Sequence, residues 1–418
     1  MKRRRFLLSL GGGALAWPAA LAALDERWDG NAPGASPRDF WDDVRAEFLM
    51  APDRIYLNNG TLGPQPRVVV EAVREHTERV AMTFPPRLDW DLVKSSLAEL
   101  CGGDAEGYVV TRNTTESMNV IANGLDFGYG DEVLITNMEH IGGKSPWELL
   151  TERRGATLVR ADLPVPGTDV VTAETLFDAV WSRVTSRTRI VSVSHVTFTN
   201  GTILPVERLA TRCRESGIVF VVDGAHPPGL MPIDIGAIGA DFYASSPHKW
   251  LLAPQGSGMF WMSEPWRETL WPTLASGDWK GGGAQRFNHV GTLDESRVAG
   301  LLSALEFNRT LGMDRIWPRV QELQARLRAG LDSIDGLTLR STGPDLNAGM
   351  LSFQIEGVDS LELQGHLGRT ANIRTRVIGE YDLGWMRLST HLYNLESDVD
   401  RVLELLAEVA RNGIPATG

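Results

Sequence analysis

The stretch running from Ile218 to Trp250, IVFVVDGAHPPGLMPIDIGAIGADFYASSPHKW, holds two short apolar runs, each ending in a polar cluster. IVFVV and ADFYA are rich in branched and aromatic residues and bounded by glycine and proline, which predicts buried strands. Asp223, Gly224, Ala225 and His226 leave the end of the first; Ser245, Ser246, Pro247, His248 and Lys249 leave the end of the second. In open α/β sheets ligands collect beyond the carboxyl ends of the strands, so both clusters are expected to face one crevice.

An acid and a lysine brought together in this way have two readings. One is a solvated ion pair, which is common and worth little. The other is a pyridoxal phosphate site, where the lysine amine forms a Schiff base with the aldehyde and a carboxylate on the pyridine nitrogen keeps the ring protonated. That chemistry needs the amine neutral for part of its cycle, and burial lowers its pKa in the required direction. Ser246 and His248 supply a hydroxyl and an imidazole for the phosphate.

DGAH followed by SSPHK resembles, in order and in separation, the acid and lysine segments of the class V aminotransferases. That family includes cysteine desulfurases, isopenicillin N epimerase and several lyases. The resemblance runs from IYLNNGTLGPQP at residue 55 to the last helical stretch. It implies fold type I: a three-layer large domain around a mixed, mostly parallel sheet, with a smaller C-terminal α/β domain. The expected division is an arm over 23–64, a large cofactor domain over 65–300 and a small domain over 301–418. The implied cofactor is pyridoxal 5′-phosphate, with Lys249 its Schiff-base lysine and Asp223 the acid on its ring.

Length and charge narrow the class further. With 418 residues and 43% apolar content, the chain can bury a large core. The net charge of −12 argues against nucleic acid and anionic membrane surfaces as partners. MKRRRFLLSLGGGALAWPAALAA has a basic start, a short apolar stretch and a small-residue site at Ala20–Ala22, which predicts a signal peptide over 1–22 rather than a membrane anchor. Arg3 and Arg4 with Phe6 and Leu7 fit the twin-arginine export address, although a simple secretory signal is also basic. A periplasmic or exported enzyme is therefore expected, with the twin-arginine machinery as a partner. The two cysteines, Cys101 and Cys213, are expected to be free buried thiols. Neither falls in ANIRTRVIGEYDLGW, where the resemblance puts the catalytic cysteine of the desulfurases, and this argues against persulfide chemistry.

Other candidate site residues follow in chain order. Asn58 and Asn59 lie in a turn-rich loop near the implied substrate entrance, and can be substrate contacts or ordinary turn residues. YVVT gives way to Asn113, Thr114 and Thr115 and then to a helical stretch; free amides there make either a phosphate cradle or an ordinary cap. DEVLITNMEH predicts a strand with His140 as its last residue, and the resemblance implies that this ring stacks on the pyridine. Gly142-Gly143-Lys144-Ser145 matches the end of a nucleotide-binding loop, but Met138 stands where that motif needs glycine, so the reading is set aside. The resemblance places His195 and Thr197 on the cofactor's phenolic side. Phe198 replaces a desulfurase asparagine, and His226 replaces a glutamine and can take over the phenolic oxygen. Gly291-Thr292 is implied to reach a partner's phosphate, so a homodimer with shared sites is expected. Arg387 in WMRLS is the expected clamp on the substrate carboxylate, since its planar fork makes two charge-assisted hydrogen bonds. Arg374 and Arg376 can hold a second carboxylate or be exposed arginines. No histidine or cysteine spacing suits a metal ion.

Val399, Val402, Leu403, Leu406 and Val409 recur at helical spacing and predict a core face near the C-terminus, with a cap-like start at Ser397 to Asp400. The expected reaction is transamination at the α-carbon of an amino acid, free or peptide-borne. Epimerisation and β-elimination are the alternatives, and a non-catalytic binding protein is the rival from another class.

Overall fold

The computed structural model describes residues 37–83, 88–277, 279–288 and 290–415. The expected signal segment 1–22 and the arm before residue 37 lie outside the described residues. In chain order the elements are α1 (Pro37–Ala46), β1 (Ile55–Tyr56), α2 (Arg67–Met82), α3 (Trp90–Cys101), β2 (Tyr108–Thr111), α4 (Thr114–Gly124), β3 (Glu132–Thr136), α5 (Ile141–Arg154) and β4 (Thr157–Ala161). Next come α6 (Ala173–Trp181), β5 (Thr188–Ser194), α7 (Val206–Glu215), β6 (Val219–Asp223), the single turn α8 (Ile235–Ile238), β7 (Phe242–Ser245), β8 (Gly258–Met262) and the single turn α9 (Trp266–Thr269). The remainder is α10 (Glu295–Leu311), α11 (Met313–Asp332), β9 (Leu337–Leu339), β10 (Met350–Ile355), α12 (Ser360–Ala371), β11 (Ile373–Arg374), β12 (Arg376–Ile378), β13 (Trp385–Ser389) and α13 (Glu396–Asn412).

Near-continuous apolar runs such as VFVVD, FYAS and GMFWM can be satisfied only where both faces of a strand are covered. They form the middle of a seven-stranded sheet in the order β2-β8-β7-β6-β5-β3-β4. The run from β7 to β4 is parallel, while β8 lies antiparallel to both of its neighbours. The chain leaves β3 toward β4 on one side and returns to β5 on the other. The strand order therefore reverses between β3 and β5, the position at which such sheets open a crevice.

A second, antiparallel sheet runs β12-β13-β10-β9. Its core joins Leu323, Leu327 and Leu331 of α11 with Leu351 and Phe353 of β10 and with Val399, Val402, Leu405, Leu406 and Val409 of α13. Leu405 thus joins the buried face of α13, and Leu403 sits at its margin against Gly330. The helix also begins earlier than Ser397: it starts at Glu396, and Asp398 accepts a hydrogen bond from the Leu395 N–H at 3.2 Å. Residue 301, the expected domain boundary, lies inside α10, which packs on α2 and α3 of the large domain. The chain turns toward the second sheet at Gly312, whose φ of 81° suits glycine.

The arm packs along the small domain and reaches the large one at Gly63, whose N–H donates to the His248 carbonyl at 3.0 Å. β1 pairs parallel with β11, Ser389 N–H donates to the Leu57 carbonyl at 2.9 Å, and Arg45 of α1 meets Asp398 at 2.6 Å. This places Asn58 and Asn59 at the junction between the domains.

Candidate active site

Asp223 is the last residue of β6, a strand flanked by parallel neighbours on both sides, so its carboxylate emerges at the centre of the crevice. Its Oδ1 accepts from the Ala225 N–H at 3.0 Å. Burial raises its pKa, opposed by the charge of Lys249 and the Ala225 hydrogen bond. Lys249 follows β7 in a tight turn whose N–H bonds back to the Ser246 carbonyl at 3.0 Å. Burial lowers its amine to about 8, with Asp223 pulling the other way and Arg387 and Arg376 adding to the drop. An amine at about 8 is partly neutral near physiological pH, which an ordinary surface lysine is not.

Asn113 caps α4, its Oδ1 accepting from the Glu116 N–H at 2.9 Å. The first amides of α4 and two hydroxyls converge here: Thr114 N–H lies 3.0 Å from Ser246 Oγ, and Thr114 Oγ1 lies 2.7 Å from the same oxygen. His248 is fixed by a 2.9 Å hydrogen bond between Nδ1 and the Ser257 carbonyl. A helix N-terminus ringed by hydroxyls and an imidazole is built to take an anion.

The strand before His140 is shorter than expected. β3 ends at Thr136, Asn137–Glu139 turn, and His140 caps α5, its Nδ1 accepting from the Gly142 N–H at 3.1 Å. The ring is half-buried and stands edge-on to Phe198, 5.0 Å between centres. Burial, reinforced by Lys249, Arg376 and Arg387, lowers it to about 3, so the ring is neutral. The glycines that follow, which resembled a nucleotide loop, have a packing reason. A Cβ on Gly142 would fall 2.2 Å from Thr115 Oγ1, and one on Gly143 2.6 Å from Asp223 Oδ2. They let the start of α5 close onto both the anion cradle and the acid.

Arg387 is fully buried on β13. One guanidinium nitrogen donates to the Phe198 carbonyl at 2.5 Å; the other reaches Asn58 Oδ1 at 3.3 Å and Thr61 Oγ1 at 3.1 Å, while Nε has no partner among the described residues. Among the described residues no carboxylate lies within ion-pair distance of it. A buried guanidinium held by neutral acceptors is poised to receive an anion. Burial lowers it to about 9, with the neighbouring charge of Arg376 next in effect.

The remaining expected residues divide. Asn58 positions Arg387, and Asn59 accepts from the Tyr393 hydroxyl at 3.2 Å and lies beneath the Lys249 backbone. His226 is buried, its Nε2 3.5 Å from Lys249 Nζ. Thr197 closes its own loop: its hydroxyl donates to Asn200 at 2.6 Å and accepts from the Thr202 N–H at 3.0 Å. His195 turns beneath the sheet toward the Tyr243 hydroxyl at 3.1 Å. Arg374 is exposed on β11, and it is Arg376 that pairs across the strands with Arg387, itself ion-paired to Glu380. Thr292 is exposed and lines a separate cavity of about 320 Å³ behind the cradle, together with Thr111, Arg112, Glu116 and Ser257. The cysteines are free and buried on α3 and α7, and burial pushes each thiol up to about 12, so neither serves as a nucleophile.

Two site residues escape a sequence reading. Glu139, beside His140, is buried at the reversal between β3 and β5, bonded by the hydroxyls of Thr136 at 2.5 Å and Ser194 at 2.6 Å. Tyr381 donates to its backbone carbonyl at 2.5 Å from the small domain. The only signal was a charged residue closing an apolar strand.

The profile of the Aminotransferase class-V family matches residues 89–402. The chain belongs to that family. Among class-V relatives, isopenicillin N epimerase from Streptomyces clavuligerus is 32% identical over 391 residues, covering 88% of this chain and 97% of that protein. Cysteine desulfurase from an Enterobacter species is 28% identical over 411 residues, covering 88% and 97%. In structure, the apo cysteine desulfurase from Thermococcus onnurineus superposes with a TM-score of 0.79 at 25% identity, covering 88% of this chain and 98% of that one. The architecture is fold type I, and the class-V cofactor is pyridoxal phosphate. The site fits it: a buried lysine whose amine burial lowers to about 8, a buried acid on the adjoining strand, and a helix N-terminus where Thr114 and Ser246 converge, next in sequence to Thr115 and close to His248.

Proposed function

We propose that this class-V enzyme removes the α-proton of an amino acid, free or peptide-borne, and completes a transamination. The observation that carries the reading is that Lys249 leaves the end of β7 beside Asp223 at the end of β6, with His226 Nε2 3.5 Å from its amine. Its amine lies at about 8, whereas His140 lies at about 3 and His226 well below its ordinary value. One carrier suffices to lift a proton from the α-carbon and return it to a neighbouring carbon. Inversion needs delivery from both faces.

Pyridoxal phosphate, when bound, supplies the carbonyl that takes the substrate amine and a ring that draws electrons from the α-carbon. Thr114, Thr115, Ser246 and His248 would hold its phosphate, and Asp223 its ring nitrogen. Arg387 takes the substrate carboxylate in its fork, with Asn58, Thr61 and the Phe198 carbonyl fixing the guanidinium plane. Lys249 moves the proton. Asp223, buried at the end of β6, contributes a fixed carboxyl group at the ring, where preorganised electrostatics act most strongly.

A second reading is epimerisation. It is favoured by two relatives named isopenicillin N epimerase, at 32% and 30% identity over nearly their full lengths. Spectra of cofactor-loaded protein, taken anaerobically with single amino acids and no acceptor, separate the two. Accumulation of the pyridoxamine form with release of a keto acid supports transamination. Exchange of the α-hydrogen with solvent while the aldehyde form persists supports epimerisation instead.

Export by the twin-arginine route and a homodimer with shared sites belong to the same proposal. The basic start with Arg3 and Arg4 supports the first, and the exposed Thr292, which lines a cavity that Lys249 does not line, supports the second. Retention of the chain in the cytoplasm, or a monomer in sedimentation, would count against them.

A further inference from the structure

Trp250 follows Lys249 directly, and its indole N–H donates to Nδ1 of His226 across 3.0 Å. An indole nitrogen can only donate, so Nδ1 of His226 can only accept. In a neutral imidazole the proton must then sit on Nε2, the nitrogen 3.5 Å from Lys249 Nζ. We propose that Trp250 is a positioning residue that locks His226 in its Nε2-protonated tautomer and so turns an N–H toward the Lys249 amine.

The indole is held so that it cannot turn away. Trp250 is fully buried, its carbonyl lies 3.0 Å from Nε2 of His391, and its ring meets the His391 ring edge-on at 5.1 Å. On the far side the backbone approaches so closely that a Cβ on Gly349 would fall 2.5 Å from the ring. Burial, and then the charges of Lys249 and Arg387, disfavour a second proton on His226.

The tautomer has a direction of effect. An imidazole N–H aimed at an amine lone pair favours the neutral amine, whereas a bare imidazole nitrogen favours the ammonium. Asp223, Arg376 and Arg387 also act on Lys249 and are unaffected by a change at Trp250. The lock therefore helps keep Lys249 available as a nucleophile toward the cofactor aldehyde.

The test is made on cofactor-free protein, so its outcome is separate from whether the enzyme transaminates. Two-bond proton–nitrogen correlation spectra of histidine-labelled protein report the tautomer of each ring, and the signal missing in His226→Gln identifies His226. The wild type is expected to show the Nε2-protonated pattern, and Trp250→Phe a shift toward the Nδ1-protonated one. Cofactor attachment at pH 7 is then expected to slow several-fold in Trp250→Phe and to recover above pH 9. A wild-type ring protonated on Nδ1, or an unchanged pattern and unchanged attachment profile in Trp250→Phe, overturns the proposal. If Trp250→Phe does not fold, the wild-type tautomer alone decides.

Discussion

Arg387 and Phe198 are joined by a 2.5 Å hydrogen bond from guanidinium to backbone carbonyl, and the ring of Phe198 stands edge-on to His140. Arg387 of the small domain, the proposed substrate clamp, is thereby anchored on the loop that follows β5 of the large domain. The position that departs from the desulfurase asparagine contributes its backbone carbonyl to holding Arg387.

This anchoring predicts a separation of binding from cofactor chemistry. Arg387→Lys keeps a positive charge but loses the planar fork. The amino acid KM is expected to rise roughly 10- to 100-fold, the worth of one charge-assisted hydrogen bond of about 1.5–3 kcal/mol. The absorbance of the loaded enzyme should stay unchanged. Steady-state kinetics beside the visible spectrum check both.

The lowered amine of Lys249 predicts how cofactor attachment depends on pH. The neutral form grows as pH rises through about 8, so the attachment rate should climb with pH and level off above that value. At pH 7 only about a tenth of the amine is neutral. Stopped-flow absorbance on apo protein measures the profile, and Lys249→Ala should abolish the band at every pH.

The close approach at Gly143 predicts a cost with a local cause. Gly143→Ala puts a methyl 2.6 Å from Asp223 Oδ2, so either α5 or the acid must move. Overpacking of this kind costs about 1–3 kcal/mol. Thermal unfolding should show the loss, and cofactor titration should show weaker binding as well.

Glu139 predicts a slope in stability against pH. Burial raises its carboxyl from 4.5 to about 7, partly offset by the Ser194 and Thr136 hydroxyls. Between those values the folded chain binds more protons at this group than the unfolded chain does. Its contribution to stability therefore falls as pH rises through that window. Denaturant unfolding at pH 5 and 7.5 should show a smaller decline in Glu139→Gln than in the wild type.

The central strands, Asp223, Lys249 and the cradle were legible because each combines a local signal, an apolar run or a cap, with a fixed place at a strand end. Arg387 was legible through resemblance, and its burial without a carboxylate partner gives that a physical basis. The structure departs from the sequence reading at side chains whose partners no local pattern announces. Thr197 is captured by Asn200 in its own loop, and Arg374 yields its place to Arg376 because the two-residue strand β11 turns outward to meet β1. The Glu139 carboxylate is held by Ser194, fifty-five residues on, and no local pattern announces such a bond.

The most direct measurement is borohydride reduction of the cofactor-loaded protein followed by peptide mass spectrometry. The chain carries Lys2, Lys94, Lys144 and Lys280 besides Lys249, so the other lysines serve as internal controls. The account predicts a reduced pyridoxyl adduct confined to the peptide containing Lys249 and absent from Lys249→Ala. An unmodified Lys249, or an adduct on another lysine that survives in Lys249→Ala, would contradict it.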